Sequence, residues 1–191
     1  MSVDGTSTPI TKWIANRLKA SSLTTGEFAE FFSPSTLLVP VPKSSLMTKG
    51  MLWVPMQMAE ALADTGLGRL TPLLHRTKAI PKAATSVSFE RPKAKNHFQT
   101  LGVKSDIGFS SDCAQDVLLV DDVITTGAAM LGSASRINAS FPKCRVKGFA
   151  GVRTVSVPSK YTRFVDPQLG KITLGSDGRT TSVVSPKRLR L

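Results

Sequence analysis

Two adjacent carboxylates, Asp121 and Asp122, stand between a wholly apolar run and a small hydroxyl-rich turn, in Val117-Leu118-Leu119-Val120-Asp121-Asp122-Val123-Ile124-Thr125-Thr126-Gly127-Ala128-Ala129. The order of residue types points to a sugar-phosphate site. Large apolar residues without alternation are the pattern of a strand buried on both faces. In open parallel sheets, ligands bind beyond the carboxyl ends of the strands. A helix opening just there presents unpaired N–H groups and the positive end of its dipole, which receive a phosphate. Gly127 lets the backbone approach closely, and the hydroxyls of Thr125 and Thr126 supply further hydrogen bonds. Paired acids facing an anion would repel it. They make sense as acceptors for two ribose hydroxyls and as neighbours of a divalent cation.

The flanking sequence supplies the elements that must hold this turn. Residues 116–123 read as a buried strand, 127–140 as a helix with Met130, Leu131, Ala134 and Ile137 inward, and 145–155 as a strand with Val146, Phe149 and Val152 as its apolar positions. Upstream, 35–41 is a short buried strand ended by Pro40 and Pro42. Residues 55–64 are a helix with Met56, Ala59 and Leu62 inward, stopped by Gly66, and 70–74 are a strand. Strand–helix–strand alternation argues for a parallel sheet with crossover helices. At the N-terminal side, Thr8 and Pro9 open an amphipathic helix over 9–20 whose face is Ile10, Trp13, Ile14 and Leu18. Thr25 caps a second helix through Phe32 with Phe28, Phe31 and Phe32 inward. Residues 75–105 form a long basic excursion (Arg76, Lys78, Lys82, Arg91, Lys93, Lys95 and Lys104 against Glu90) with a short helix near 93–99. Long excursions from a compact domain are usually functional. Gly175-Ser176-Asp177-Gly178 turns a C-terminal hairpin between 172–174 and 180–184, and Lys187, Arg188 and Arg190 make the tail basic.

Length and composition limit the rest. The 191 residues fit one domain: a core of about 35–155, N-terminal helices at 8–32, and a hairpin with basic tail at 156–191. Lys and Arg number 25 against 13 acids, a formal charge of +12, so the surface attracts anions: nucleotides, diphosphates, nucleic acid or an acidic partner protein. Aromatic residues are only 6%, which disfavours a stacking platform for single strands. Cys113 and Cys144 lack metal-ligand spacing, lie far from His75 and His97, and read as free thiols. With the polar N-terminus and no long apolar span, they point to the cytoplasm and away from a membrane.

The run at 117–129 resembles the phosphoribosyl pyrophosphate (PRPP) signature of type I phosphoribosyltransferases: four apolar residues, two acids, then a Thr- and Gly-rich turn. The resemblance extends toward the ComF-like branch, with Val39-Pro40-Val41-Pro42 at a strand end, the pair Lys49-Gly50, and a basic segment from Arg91 through Asn96 and Phe98. It implies a Rossmann-like parallel sheet flanked by helices, a basic flexible loop, and a small hood formed by N- or C-terminal segments. Asp121 and Asp122 would bind the ribose hydroxyls, and Thr125, Thr126, Gly127, Ala128 and Ala129 the 5′-phosphate. Pro42, Lys43, Ser44 and Ser45 would be the pyrophosphate loop. Arg91, Lys93 and Lys95 would belong to the flexible loop, with Lys93 and Lys95 joining the acids in catalysis, and Mg²⁺ would arrive with PRPP near Asp121 and Asp122.

The implied reaction is Mg²⁺-dependent transfer of 5-phosphoribosyl to a nitrogen acceptor such as a nucleobase. Relatives often form dimers, which makes a homodimer an expectation. Three departures mark this chain. Ala129 stands where many relatives carry Thr. Thr125 stands where 6-oxopurine salvage enzymes carry Asp. Met51-Leu52-Trp53 replaces the Phe-Asn-Gln of many ComF-like chains. They motivate a second expectation, a non-catalytic or effector-type protein of the same fold that senses PRPP or a nucleotide and binds nucleic acid or a partner complex. The site assignment requires that the two acids not turn into the interior and that the Thr-Thr-Gly turn not be blocked by its own chain.

Overall fold

The computed structural model describes residues 8–25, 30–48, 50–81, 91–104, 115–154 and 168–188. In chain order the elements are α1 (Ile10–Thr25), β1 (Leu37–Pro40), α2 (Val54–Asp64), β2 (Arg69–Leu70), β3 (Leu74–Arg76), α3 (Ala94–Gln99), β4 (Leu101–Val103), β5 (Asp116–Ile124), α4 (Ala128–Ser140), β6 (Arg145–Arg153), β7 (Gln168–Leu174) and β8 (Thr180–Arg188). The central sheet has the order β2-β1-β5-β6 and is parallel throughout. It is flanked by helices, as the alternation of patterns requires.

The two inner strands are apolar because both of their faces are covered. Leu38, Leu118 and Val120 pack on one face with Ala15 and Leu18 of α1 and Met58, Ala59 and Leu62 of α2. Leu37, Val39, Val117 and Leu119 pack on the other with Met130 and Ile137 of α4 and with Leu73 and Leu74. Leu37, Leu38, Val39, Leu119 and Val120 are all fully buried. Pro40 is tolerated in β1 because it is the last residue of the ladder, and the next amide, that of Val41, donates to the carbonyl of Val120 at 2.8 Å.

Several elements depart from their sequence patterns. In α1 the buried stripe is Thr11, Ala15 and Leu18, with Ile14 partly buried, whereas Ile10 and Trp13 are exposed. Small Ala15 faces the sheet, and Trp13 is displaced to the flank, where the Arg17 guanidinium lies 5.6 Å from its ring. α1 runs on to Thr25, and of the second helix expected from there through Phe32, residues 26–29 lie outside the described residues. Glu30 and Phe31 form a turn, Phe32 is buried against Phe149, and Phe28 lies outside the described residues. In α2, Met58 and Ala61 are buried and Met56 is only partly so. The single strand expected at 70–74 is two: β2 adds to the parallel sheet, while β3 turns away to pair antiparallel with β4.

That second ladder anchors the basic excursion. β3 and β4 bring its two ends together, and α3 packs on α4. The close approach needs Gly132, where an added Cβ would lie 2.5 Å from His97 Cβ and 2.6 Å from the Ala94 carbonyl oxygen. Gly132 and Ser133 of α4 are accordingly buried, while Leu131 and Ala134, expected inward, are only partly so. In β6, Val146 and Phe149 are an odd number of residues apart and pack on opposite faces, and Val152 is exposed. β7 and β8 form the expected C-terminal hairpin, a separate two-stranded sheet. The side chains of Lys187 and Arg188, and all of Arg190, lie outside the described residues, as does Cys113. Cys144 is a buried free thiol. Among the described residues no helix is long and apolar enough to cross a membrane.

Candidate functional site

The turn between β5 and α4 sits at the carboxyl end of an inner parallel strand, with β1 on one side and β6 on the other. Gly127 is the residue before the first helical position of α4. Its φ of +84° is left-handed, a conformation that favours glycine, and no side chain caps the helix there. Thr125 and Thr126 are exposed and Gly127 is buried.

The two acids close the strand. Asp121 continues the register of Val117 and Leu119, toward the α4 face, and Asp122 that of Leu118 and Val120. Both are half-buried. The Asp122 amide donates to Asp121 Oδ1 at 3.0 Å, and the Val123 amide donates to Asp122 Oδ1 at 2.9 Å. Burial, reinforced by the neighbouring Asp122 charge, pushes the Asp121 carboxyl up to about 7. Alternation thus sends neighbouring side chains to opposite faces, yet their carboxylates remain electrostatically coupled. A hydroxyl donor or a cation placed against Asp121 would favour its charged form and offset that rise.

The segment after β1 lies beside this turn. Pro42 is buried, and Lys43, Ser44 and Ser45 are half-buried. Its backbone is fixed by Arg76, one of the cations of the basic excursion. Arg76 is only 5% exposed and has no carboxylate partner among the described residues. Its Nε donates to the Lys43 carbonyl at 2.9 Å, Nη2 to the Pro42 carbonyl at 3.4 Å, and Nη1 to Thr100 Oγ1 at 2.7 Å. Nη2 also meets His97 Nδ1 at 3.4 Å, which requires that nitrogen to accept. Burial, then the Arg76 charge, lowers the His97 pKa to about 4, so the imidazole is neutral. Burial lowers Arg76 itself to about 10. The signal in the sequence was the alternation of Leu74, His75 and Arg76, in which the outward residue is His75. Lys43 reaches back across its own loop, its Nζ donating to the Leu52 carbonyl at 2.8 Å. The Trp53 indole N–H donates to the Val41 carbonyl at 2.9 Å, so the unusual Met51-Leu52-Trp53 segment braces the same loop.

Of the basic candidates, Lys93 stands at the start of α3, and its Nζ donates to the Asp177 carbonyl of the C-terminal hairpin at 2.7 Å. Lys95 and Arg91 are exposed. The hairpin itself comes to the phosphate turn. The Thr180 hydroxyl donates to Thr126 Oγ1 at 3.1 Å, and an added Cβ on Gly127 would lie 2.7 Å from Ile172 Cδ1. The resemblance implies a hood from the N-terminal helices, this hairpin or both; Ile172 and Thr180 are not among the expected site residues, since nothing in a polar hairpin pattern says where it docks. Among the described residues no cluster of three or more His, Cys, Asp or Glu forms a metal cage.

No protein-family model matches the chain, and comparison with curated proteins found no match. Among solved structures, it is similar to a hypoxanthine phosphoribosyltransferase from Staphylococcus aureus, with 12% identity over 78% of this chain and 75% of that one and a TM-score of 0.40. It is also similar to the hypoxanthine phosphoribosyl transferase of Trypanosoma cruzi, with 15% identity over 78% of this chain and 67% of that one and a TM-score of 0.37. At this level of likeness no residue's role passes from those proteins to this chain.

Proposed function

We propose that the chain binds PRPP at the β5–α4 turn and transfers its phosphoribosyl group to a nitrogen acceptor such as a nucleobase. One observation carries the reading: a buried parallel strand ends in a coupled aspartate pair and passes through a left-handed glycine into a helix whose N-terminus no side chain caps. Thr125, Thr126, Gly127, Ala128 and Ala129 would hold the 5′-phosphate through main-chain amides and two hydroxyls, with Ala129 contributing only its amide. Asp121 and Asp122 would accept from the ribose hydroxyls. The Pro42, Lys43, Ser44 and Ser45 loop, held by Arg76, would face the diphosphate, and Lys93 and Lys95 would neutralise charge on the leaving group.

A carboxylate pair that, among the described residues, has no third acidic ligand suits a hard cation that receives most of its oxygens from substrate. Mg²⁺ so placed would supply charge neutralisation to the departing diphosphate. The protein's part is positioning and exclusion of water. The order of the elements and the Val39-Pro40-Val41-Pro42 strand end support a place near the ComF-like branch, and the buried free thiol of Cys144 fits a cytoplasmic protein.

The test is consumption of labelled PRPP with Mg²⁺ and a panel of nucleobases, beside calorimetric binding of PRPP. Binding with turnover is expected in the wild type, and loss of both when Asp121 and Asp122 are replaced by Asn; unchanged affinity in that double variant rejects the site. The seating of the hairpin on the turn favours a second reading, a regulatory member of the fold that binds PRPP without turnover and a nucleic acid or partner through its +12 surface. Tight PRPP binding with no product for any base, together with steeply salt-dependent nucleic-acid binding, would select it.

A further inference from the structure

The C-terminal hairpin rests against one side of the β5–α4 turn, so part of the Thr-Thr-Gly turn is covered by its own chain, the obstruction that the site assignment needs to be absent when ligand binds; Thr125 and Thr126 remain exposed. An added Cβ on Gly127 would meet three atoms of Ile172, Cδ1 at 2.7 Å, Cγ1 at 2.8 Å and Cγ2 at 3.0 Å, so the turn cannot admit even one more carbon on that side. Ile172, like Ile124 and Ala129 at the two edges of the turn, packs against the same buried apolar cluster. Thr180, 5% exposed, donates its hydroxyl to that of Thr126, the group a phosphate would engage. The hairpin tip accepts from Lys93 through the Asp177 carbonyl, and β8 accepts from Arg153 Nη2 through the Ser182 carbonyl at 2.8 Å.

We propose that the hairpin of β7 and β8 is an intrasteric plug, and that a phosphorylated ribose enters the turn by displacing it. The proposal rests on the reading of the β5–α4 turn as the PRPP site. Three features make the plug removable. The hairpin forms its own sheet, so release breaks no strand ladder of the core. Its backbone contacts are mainly internal, and among its described side chains Leu174 and Val183 remain 60% and 59% exposed. Two of its polar tethers are cations donating to neutral carbonyls, Lys93 to Asp177 and Arg153 to Ser182, and charged phosphate oxygens are stronger acceptors for the same cations. PRPP would therefore take the Thr126 hydroxyl and the Lys93 ammonium away from the hairpin as it binds. The apparent affinity is the intrinsic affinity reduced by the fraction of molecules with the plug out.

The experiment measures PRPP binding with Mg²⁺ by calorimetry in the full chain, in the wild type and in two loosened variants, Ile172→Ala and Thr180→Val. It also follows thiol labelling of a Thr180→Cys variant, assigned by mass spectrometry apart from Cys113 and Cys144. Loosening is expected to tighten PRPP binding by about tenfold, as for removal of a closed state that holds most of the population. PRPP is expected to speed labelling at position 180, and the Asp121→Asn, Asp122→Asn changes to abolish that acceleration. Equal PRPP affinity in all three proteins, with labelling unaffected by ligand, overturns the plug and leaves the site standing. Ligand-free labelling at position 180 as fast as at an exposed cysteine shows an unseated hairpin and also overturns it. If neither the wild type nor a loosened variant binds PRPP, both the plug and the site reading fall.

Discussion

Replacing Asp121 by Asn should abolish the loss of stability that the protein suffers through this group as pH rises from about 4 to 7. In the folded chain Asp121 titrates near 7, against an ordinary value of 3.8, first because burial penalises its charge and then because Asp122 adds a like charge. Between those values the folded protein keeps a proton that the unfolded chain gives up. Stability is therefore full below about 4, falls as pH rises, and levels off above about 7, the opposite of a salt-bridged carboxylate. At about 1.4 kcal/mol per pH unit, the displacement corresponds to about 4 kcal/mol. That is a large share of the 5–15 kcal/mol, roughly, that holds a domain together. Asn cannot ionise, and its carbonyl can still accept from the Asp122 amide. Urea denaturation of wild type and Asp121→Asn, followed by tryptophan fluorescence from pH 4 to 8, isolates the effect, because other titrations cancel in the difference. The variant should gain about 4 kcal/mol relative to wild type across that range. Asp122→Asn should move the wild-type transition to lower pH without abolishing it, since burial is the larger cause. Stability curves of wild type and Asp121→Asn that run parallel from pH 4 to 8 would refute the burial argument.

Arg76→Met should cost about 3 kcal/mol in chemical denaturation, because the Pro42 and Lys43 carbonyls and Thr100 lose a charged donor. It should also raise the pH at which His97 titrates, read by NMR, by removing the adjacent positive charge. Gly127→Ala should combine about 1 kcal/mol of left-handed backbone strain with a clash against Ile172. In a double-mutant cycle, Ile172→Ala should relieve the clash and leave the strain, so strict additivity would count against the contact.

The parallel sheet was legible in the sequence because its inner strands are buried on both faces, which forces the unbroken runs Leu37–Pro40 and Val117–Val120, and because Pro42, Gly66 and Gly127 mark where regular structure must stop. The β5–α4 turn was legible for the same local reason: acids, hydroxyls and a glycine follow one another within a few residues, so sequence order is spatial order. Where packing partners come from afar, the local pattern misled. Trp13 looks like core by spacing, but α1 turns Ala15 and Leu18 to the sheet. By sequence Arg76 is one of several cations of a basic excursion, but among the described cations of that excursion only it is buried, by α3 and by the loop whose carbonyls it binds.

The sequence by itself determined the strand, the acid pair and the helix start, since each depends on near neighbours along the chain. Only the tertiary structure decided that Arg76 braces the loop after β1 and that Ile172 and Thr180 rest on the turn at Gly127. Thr126 and Thr180 are 54 residues apart, and their meeting depends on how whole elements dock, which no local periodicity encodes.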